Sequence, residues 1–294
     1  MSLLSAEMVE RLRQLELFSR LRVEGAMAGE NRSRRIGQGM DFARHRQYFP
    51  GDNLRDIDWR ILGRTDRLVV KQYEEQTNAD MTVVLDTSGS MGYAGQSMSK
   101  MDFAVRCAAV LTYLMHLQRD SFSLVAFGAS AADTVGRGSG RRHLRRVFEK
   151  LVALRPAGET RFAECFAQVE LRLKRRGLVV VLSDFMDEPG ALARAMARLR
   201  MASHDVIAFQ VFDPSERDLE FVDFTRFRDL ETGEAIGADP LAIRTEYRRQ
   251  FERHQLAMKE ACLAHAIDHV LLAVADEYDE AIGDYLRRRA ALLT

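Results

Sequence analysis

At 294 residues, with 47% hydrophobic and 29% charged side chains, the chain is long enough to bury a full core and charged enough to cover it. Forty-three basic residues balance forty-three acidic ones, which removes any global pull toward nucleic acid or anionic lipid. No run of about 18 uncharged apolar residues occurs. The longest apolar-rich stretch, Ala261 to Ala275, is broken by His265, Asp268 and His269, and no signal-peptide core opens the chain. The expectation is a cytoplasmic protein without stable membrane insertion. Cys107, Cys165 and Cys262 have neither zinc spacing nor an even count for disulfides, and read as core residues.

Residues 1–79 read as an N-terminal arm. It opens with a charged amphipathic helix around Ala6 to Arg13, continues through a Gly/Arg-rich connection with Arg32, Arg34 and Arg35, and ends in extended segments over Leu54 to Ile61 and Leu68 to Tyr73. Trp59, the one tryptophan, is expected to anchor the arm against the domain formed by residues 80–294.

Residues 80–294 alternate between strand and helix patterns. Met81 to Leu85 is a continuous apolar run of strand length, and Phe103, Cys107, Val110, Leu111, Leu114 and Met115 then fall on one helical stripe. Ser121 to Phe127 is a second strand and Ala132 to Val135 a short edge strand. Two amphipathic helices follow, with inner faces at Leu144, Val147, Phe148 and Leu151 and at Phe162, Phe166, Val169 and Leu173. Leu178 to Leu182, a helix from about Ala191 to Leu199 and the strand Val206 to Phe212 continue the alternation. Near 213–240 the rhythm breaks into an insertion, where Phe221 to Phe227 alternates like an exposed hairpin and Glu231-Thr232-Gly233 supplies a turn. A long helix carrying Ile243, Tyr247, Phe251, Met258 and Cys262, a strand near His269 to Val274 and a short helix ending at Arg289 complete the chain. This pattern predicts an α/β fold: a doubly wound, mostly parallel sheet flanked by helices.

Two acids stand just past strand ends, Asp86 and Asp184. In an open parallel sheet, ligands gather outside the carboxyl ends of the strands, so both acids belong to one crevice. Asp86-Thr87-Ser88-Gly89-Ser90 adds two hydroxyls on a tight turn, where Gly89 is expected to supply backbone geometry that a side chain would obstruct. A hard dication takes oxygen ligands and retains waters, which suits directly bound hydroxyls with carboxylates close by. The two carboxylates balance the ion formally, and a vacancy in its shell suits an Asp or Glu from a partner protein.

Asp86-x-Ser88-x-Ser90, the later Gly158-Glu159-Thr160 and Ser183-Asp184 resemble the metal-ion-dependent adhesion site (MIDAS) of von Willebrand factor A domains. That resemblance implies Ser88, Ser90 and Thr160 as direct metal contacts, with Asp86 and Asp184 bonding to the metal's waters. The ion implied is Mg²⁺ or Mn²⁺, with Ca²⁺ a further candidate. Gly37 to Phe42, Tyr48 to Trp59, Lys71 to Glu74, Leu230 to Glu234, the helix with Tyr247 and Cys262, and Leu286 to Arg289 resemble the domain of unknown function 58 family over nearly the whole chain. Many of its members begin with a pair of membrane-spanning helices, where this sequence is expected to form the charged amphipathic helix of Ala6 to Arg13. The family resemblance implies a MoxR-type AAA+ ATPase as companion in assembling or remodelling protein complexes.

Other features read more plainly. His265 and His269 have the spacing of a zinc pair, but the intervening glutamate is absent and the helix is expected to end between them. Arg141, Arg142, Arg145 and Arg146 flank a buried stripe and read as a solvated face. The chain lacks a Gly-x-Ser-x-Gly elbow, a phosphate-binding loop and the second acid, two residues after the first, of dehalogenase-type phosphatases. The expectation is a non-enzymatic, metal-dependent interaction module, with a metal-dependent hydrolase and a metal-free scaffold as alternatives.

Overall fold

The computed structural model describes residues 40–48, 57–75, 80–95, 98–128, 133–276, 281–283 and 285. The helix expected over Ala6 to Arg13, the arginines at 32, 34 and 35 and the end of the last helix at Arg289 lie outside them. The chain divides into two compact units, one of Ala26–Asn78 and one that includes Ala79–Thr294.

In the smaller unit, β1 (Met40–Gln47) pairs antiparallel with β2 (Val69–Glu75), placing Phe42 opposite Tyr73 and Gln47 opposite Val69. Between them lies α1 (Trp59–Thr65). The extended reading of Leu54 to Ile61 is corrected from Trp59 onward, its first three residues lying outside the described ones: Ile57 makes only an isolated bridge to Val70, and the helix starts two residues later. Asp58 is the reason, because its side chain accepts the otherwise unpaired N–H groups of Arg60 and Ile61 at 3.0 and 3.3 Å. Trp59, the first residue of α1, keeps 61% of its surface exposed.

The larger unit is built on a six-stranded sheet. Its strands are β3 (Asp80–Asp86), β4 (Ser121–Phe127), β5 (Asp133–Gly138), β6 (Leu178–Ser183), β7 (Asp205–Phe212) and β10 (Asp268–Ala273), in the order β10-β7-β6-β3-β4-β5. All neighbours are parallel except the edge strand β5, which runs antiparallel to β4. The α/β expectation of a mostly parallel sheet flanked by helices is met. The helices are α2 (Lys100–Leu117), α3 (Gly140–Ala153), α4 (Phe162–Arg172), α5 (Pro189–Met201), the short α6 (Pro214–Asp218) and α7 (Pro240–Ala264). The insertion consists of α6 and a separate two-stranded hairpin, β8 (Thr225–Arg228) and β9 (Ala235–Ala238).

Because successive side chains on a strand face opposite ways, each central strand feeds two cores. Met81, Val83 and Leu85 of β3 and Val180 and Leu182 of β6 pack with Phe103, Cys107 and Leu144 on one face. Val84, Val179 and Val181 pack with Phe166, Met196 and Met258 on the other. The arginines of α3 are exposed while Leu144 and Val147 are buried, as expected of a solvated face. All three cysteines are free and buried, and burial pushes their thiol pKa values up. α7 stops at Ala264, and His269 lies on β10 with Nε2 2.9 Å from Gln210 Oε1. Among the described residues no helix is long and apolar enough to cross a membrane.

Leu182 is fully buried where β6 meets β3. Leu182→Ala is expected to lower the unfolding free energy by about 2–5 kcal/mol, measured by urea denaturation; a loss below about 1 kcal/mol would contradict its place in a close-packed core.

Candidate metal centre

The strand order reverses between β3 and β6, since β4 and β5 lie to one side and β6, β7 and β10 to the other. Leu85 pairs with Leu182 across that boundary, so Asp86 and the Ser183-Asp184 pair emerge side by side at the sheet's carboxyl edge, at the switch point where such folds bind ligands.

The turn after β3 is tied to its neighbours by backbone bonds. Thr87 N–H donates to Phe127 O at 2.7 Å, Ala157 N–H to Thr87 O at 2.9 Å and Gly89 N–H to Gly158 O at 2.8 Å. The last two draw the loop before α4 onto the first, and Gly158 supplies a left-handed φ of 71° there. Thr160 thereby reaches Asp86: its hydroxyl donates to Oδ1 at 3.1 Å. Ser88 N–H donates to the same oxygen at 2.9 Å, and Ser183 Oγ donates to Oδ2 at 2.6 Å. Ser88 Oγ and Ser90 Oγ are 3.0 Å apart. Ser88 and Asp86 are buried, whereas Ser90 and Thr160 are only half-buried, and a surface cleft lined by Thr160, Phe162, Asp187 and Leu192 adjoins them.

Asp184 joins from β6. The chain turns sharply after it through Phe185, whose left-handed φ of 50° is held by burial of its ring and by its N–H donating to Ser183 Oγ at 3.0 Å. Gln210 Nε2 donates to the Asp184 carbonyl at 2.9 Å. The Asp184 carboxylate meets a group that the sequence reading missed: Lys100 Nζ, 2.7 Å from Asp184 Oδ2 and 2.7 Å from Glu216 Oε1, with 1% of its side chain exposed. A lysine in the first turn of a helix reads as surface in any sequence, and only the fold reveals this one as interior. Glu216 is presented by α6, where Asp213 and Glu216 form a reciprocal capping box.

These charges set the electrostatics. Burial, and then the charge of Asp184, push the Asp86 pKa up to about 7. For Lys100 burial acts downward, but the carboxylates of Asp184 and Glu216 outweigh it and the pKa is raised. Burial likewise raises Glu216 by more than Lys100 lowers it. When all are ionised, three carboxylates share one ammonium.

The donor set fits a hard divalent ion. Three hydroxyls and two carboxylates converge from two loops and two strand ends, and a dication would offset the Asp184 charge that, after burial, raises the Asp86 pKa. Among the described residues no group of three His, Cys, Asp or Glu side chains is placed to hold a metal, so an ion here would rest on hydroxyl oxygens.

Gly89 departs from expectation. Its φ is not left-handed, and what excludes a side chain is a neighbour: a Cβ there would run into the Leu230 carbonyl and stand 3.2 Å from Glu231 Cα, at the tip of the β8–β9 hairpin.

Comparison with known proteins places the chain. Residues 44–257 match the family described as "Protein of unknown function DUF58". The chain belongs to the DUF58 family. Uncharacterized proteins of Mycobacterium tuberculosis and Mycobacterium bovis are 28% identical to this DUF58 protein over 251 residues, covering 83% of this chain and 78% of theirs. Among solved structures, an aerotolerance-related membrane protein from Bacteroides fragilis is similar with a TM-score of 0.50 at 14% identity, over 73% of this chain and 99% of that one. The SpRpn10 VWA domain is similar with a TM-score of 0.41 at 10% identity, over 70% and 94%. At 14% identity the likeness to the Bacteroides fragilis protein is one of fold.

Two outcomes check the site's electrostatics. Lys100→Met leaves two buried carboxylates unpaired and is expected to cost about 3–5 kcal/mol in urea denaturation; a near-neutral result would mean that water already screens the pair. The raised pKa of Asp86 means that the folded state holds its proton more tightly than the unfolded chain. Its contribution to stability is complete below the ordinary carboxylate value and is lost as pH rises through about 7. In chelator, the thermal stability of Asp86→Asn should therefore gain on wild type between pH 5 and pH 8, and a difference independent of pH would contradict the assignment.

Proposed function

We propose that this DUF58 protein is a non-enzymatic, divalent-metal-dependent interaction module of von Willebrand factor A type. Ser88, Ser90 and Thr160 would hold Mg²⁺ or Mn²⁺ directly, with Asp86 and Asp184 acting through its waters. The ion would supply a positive charge with a vacant position, to which a partner protein brings an Asp or Glu side chain. The observation that carries this reading is the convergence of Ser88, Ser90, Thr160 and Asp86 within hydrogen-bond distance, with Asp184 buried beside them.

The residues have separate tasks. Asp86 accepts three hydrogen bonds, from Ser88 N–H, Thr160 Oγ1 and Ser183 Oγ, and so fixes both loops behind the hydroxyl cluster. Lys100 occupies Asp184 Oδ2 and leaves Oδ1 for the site. Ser90 and Thr160 form the half-buried rim that a partner would meet.

The same bonding favours capture over hydrolysis. A nucleophilic carboxylate must itself reach the substrate, whereas Asp86 is buried behind the hydroxyls with both oxygens accepting hydrogen bonds, leaving acceptor capacity on Oδ2 for a metal-bound water. The finer part of the proposal is that the partner is, or acts with, a MoxR-type AAA+ ATPase in remodelling protein complexes. Its support is the family resemblance carried by the motifs from Gly37 through Glu74 and from Leu230 to Glu234.

Calorimetric titration of the full chain with Mg²⁺ and Mn²⁺ tests the metal. Binding is expected in wild type and is expected to vanish in Thr160→Ala, whose fold should lose only about 0.5–1.5 kcal/mol, the worth of one hydrogen bond. A flat wild-type trace up to millimolar metal would favour the metal-free scaffold. In a pull-down from the protein's own cell extract, partner capture should disappear with chelator. Phosphatase activity that needs Mg²⁺ and is lost in Asp86→Ala would replace this reading with the hydrolase.

A further inference from the structure

The contact at Gly89 joins the insertion to the centre of the metal loop. The Leu230–Glu231 peptide lies against the one residue between Ser88 and Ser90, closely enough that any side chain at position 89 would displace it. The hairpin tip is well defined there. Asp229 Oδ1 accepts the N–H groups of Glu231 and Thr232 at 2.7 and 3.1 Å, Asp229 N–H donates to Glu234 O at 2.8 Å, and Gly233 takes the left-handed φ of 78° that closes the turn. The Glu231 Cα thus stands 3.2 Å from where a side chain at position 89, between Ser88 and Ser90, would begin. Among the described residues no hydrogen bond or ion pair engages its carboxylate.

The hairpin is firmly rooted and lightly held beyond its root. Arg244 of α7 donates to the carbonyls of Leu219 and Phe221 at 3.1 and 2.9 Å, which fixes the base. Above it, β8 and β9 pair over only four positions and are largely exposed on both faces, with Phe224 at 76% and Ile236 at 69%. A two-stranded hairpin of this kind is marginally stable alone, and elements with few buried contacts open at little free-energy cost.

We infer that the β8–β9 hairpin is a displaceable cover of the metal loop which brings the chain's own carboxylate, Glu231, to the ion. A partner's acidic side chain then competes with Glu231 for the open position, and binding requires the hairpin tip to move aside. The inference rests on the metal-site reading above. It adds an internal ligand and an explanation for glycine at position 89, where backbone conformation does not demand one.

The test compares wild type with Glu231→Gln by Mn²⁺ calorimetry and by amide hydrogen exchange over residues 226–237, on the full chain. Mn²⁺ is expected to slow exchange at 229–234 in wild type. Glu231→Gln should bind Mn²⁺ roughly tenfold more weakly, having lost a charged ligand, and should show no added protection. Equal Mn²⁺ affinity in the two proteins, with exchange at the tip unchanged by metal, overturns the cover and leaves the metal site standing. No Mn²⁺ binding by wild type overturns both. Without metal, Gly89→Ala should speed exchange at 229–234 by pushing the tip away, and exchange as slow as in wild type would show that the tip does not rest there.

Discussion

One buried ammonium holds the site's charge in check. Lys100 Nζ lies 2.7 Å from both Asp184 and Glu216, and without it three acids would face one another at the edge of an apolar core. Like charges in a poorly solvated space repel strongly, and the chain answers by pairing two of them with Lys100 and letting Asp86 keep its proton toward neutral pH. The parts of this balance come from separate places: the lysine from the start of α2, one acid from the end of β6 and the other from α6. Nothing in it is local to one segment.

The same ion pair links the metal loop to the insertion. Glu216 lies three residues before Leu219, whose carbonyl Arg244 grips at the foot of the hairpin. Tyr93 Oη and Ser215 Oγ, 2.9 Å apart, and the Gly95 N–H donating to Asp213 Oδ2 at 3.0 Å add further ties between the turn after the metal loop and α6. The insertion is therefore joined to the site at two places, by partly buried polar bonds at its root and by a close backbone approach at its tip. A site framed this way is sensitive to what happens in the insertion, although no residue of the insertion is among the five expected ligands.

The sheet and its ligand edge were legible in residue pattern. Continuous apolar runs at Met81 to Leu85 and Leu178 to Leu182 have the length and Val/Leu content of strands covered on both faces, and an acid following each run then sits at the carboxyl edge. Such features are read from periodicity and chain order, which are local properties of the residues concerned. Thr160 was reached through the resemblance of Gly158-Glu159-Thr160 to the adhesion-site motif, and the fold brings its hydroxyl to Asp86. Where a single capping side chain decided the outcome the reading failed: Asp58 starts a helix in what looked like an extended segment.

The remaining features arise from packing between distant segments. Lys100 looks like any surface lysine, and its burial follows from α2 beginning directly beneath the ends of β6 and α6. Ser183 becomes a partner of Asp86 only because β3 and β6 are neighbours in parallel register. Gly89 was legible as a glycine that must remain one, but the reason lies far along the chain at Leu230. Contacts between distant segments depend on how elements pack, and pattern within a segment carries no record of which other segment will be pressed against it.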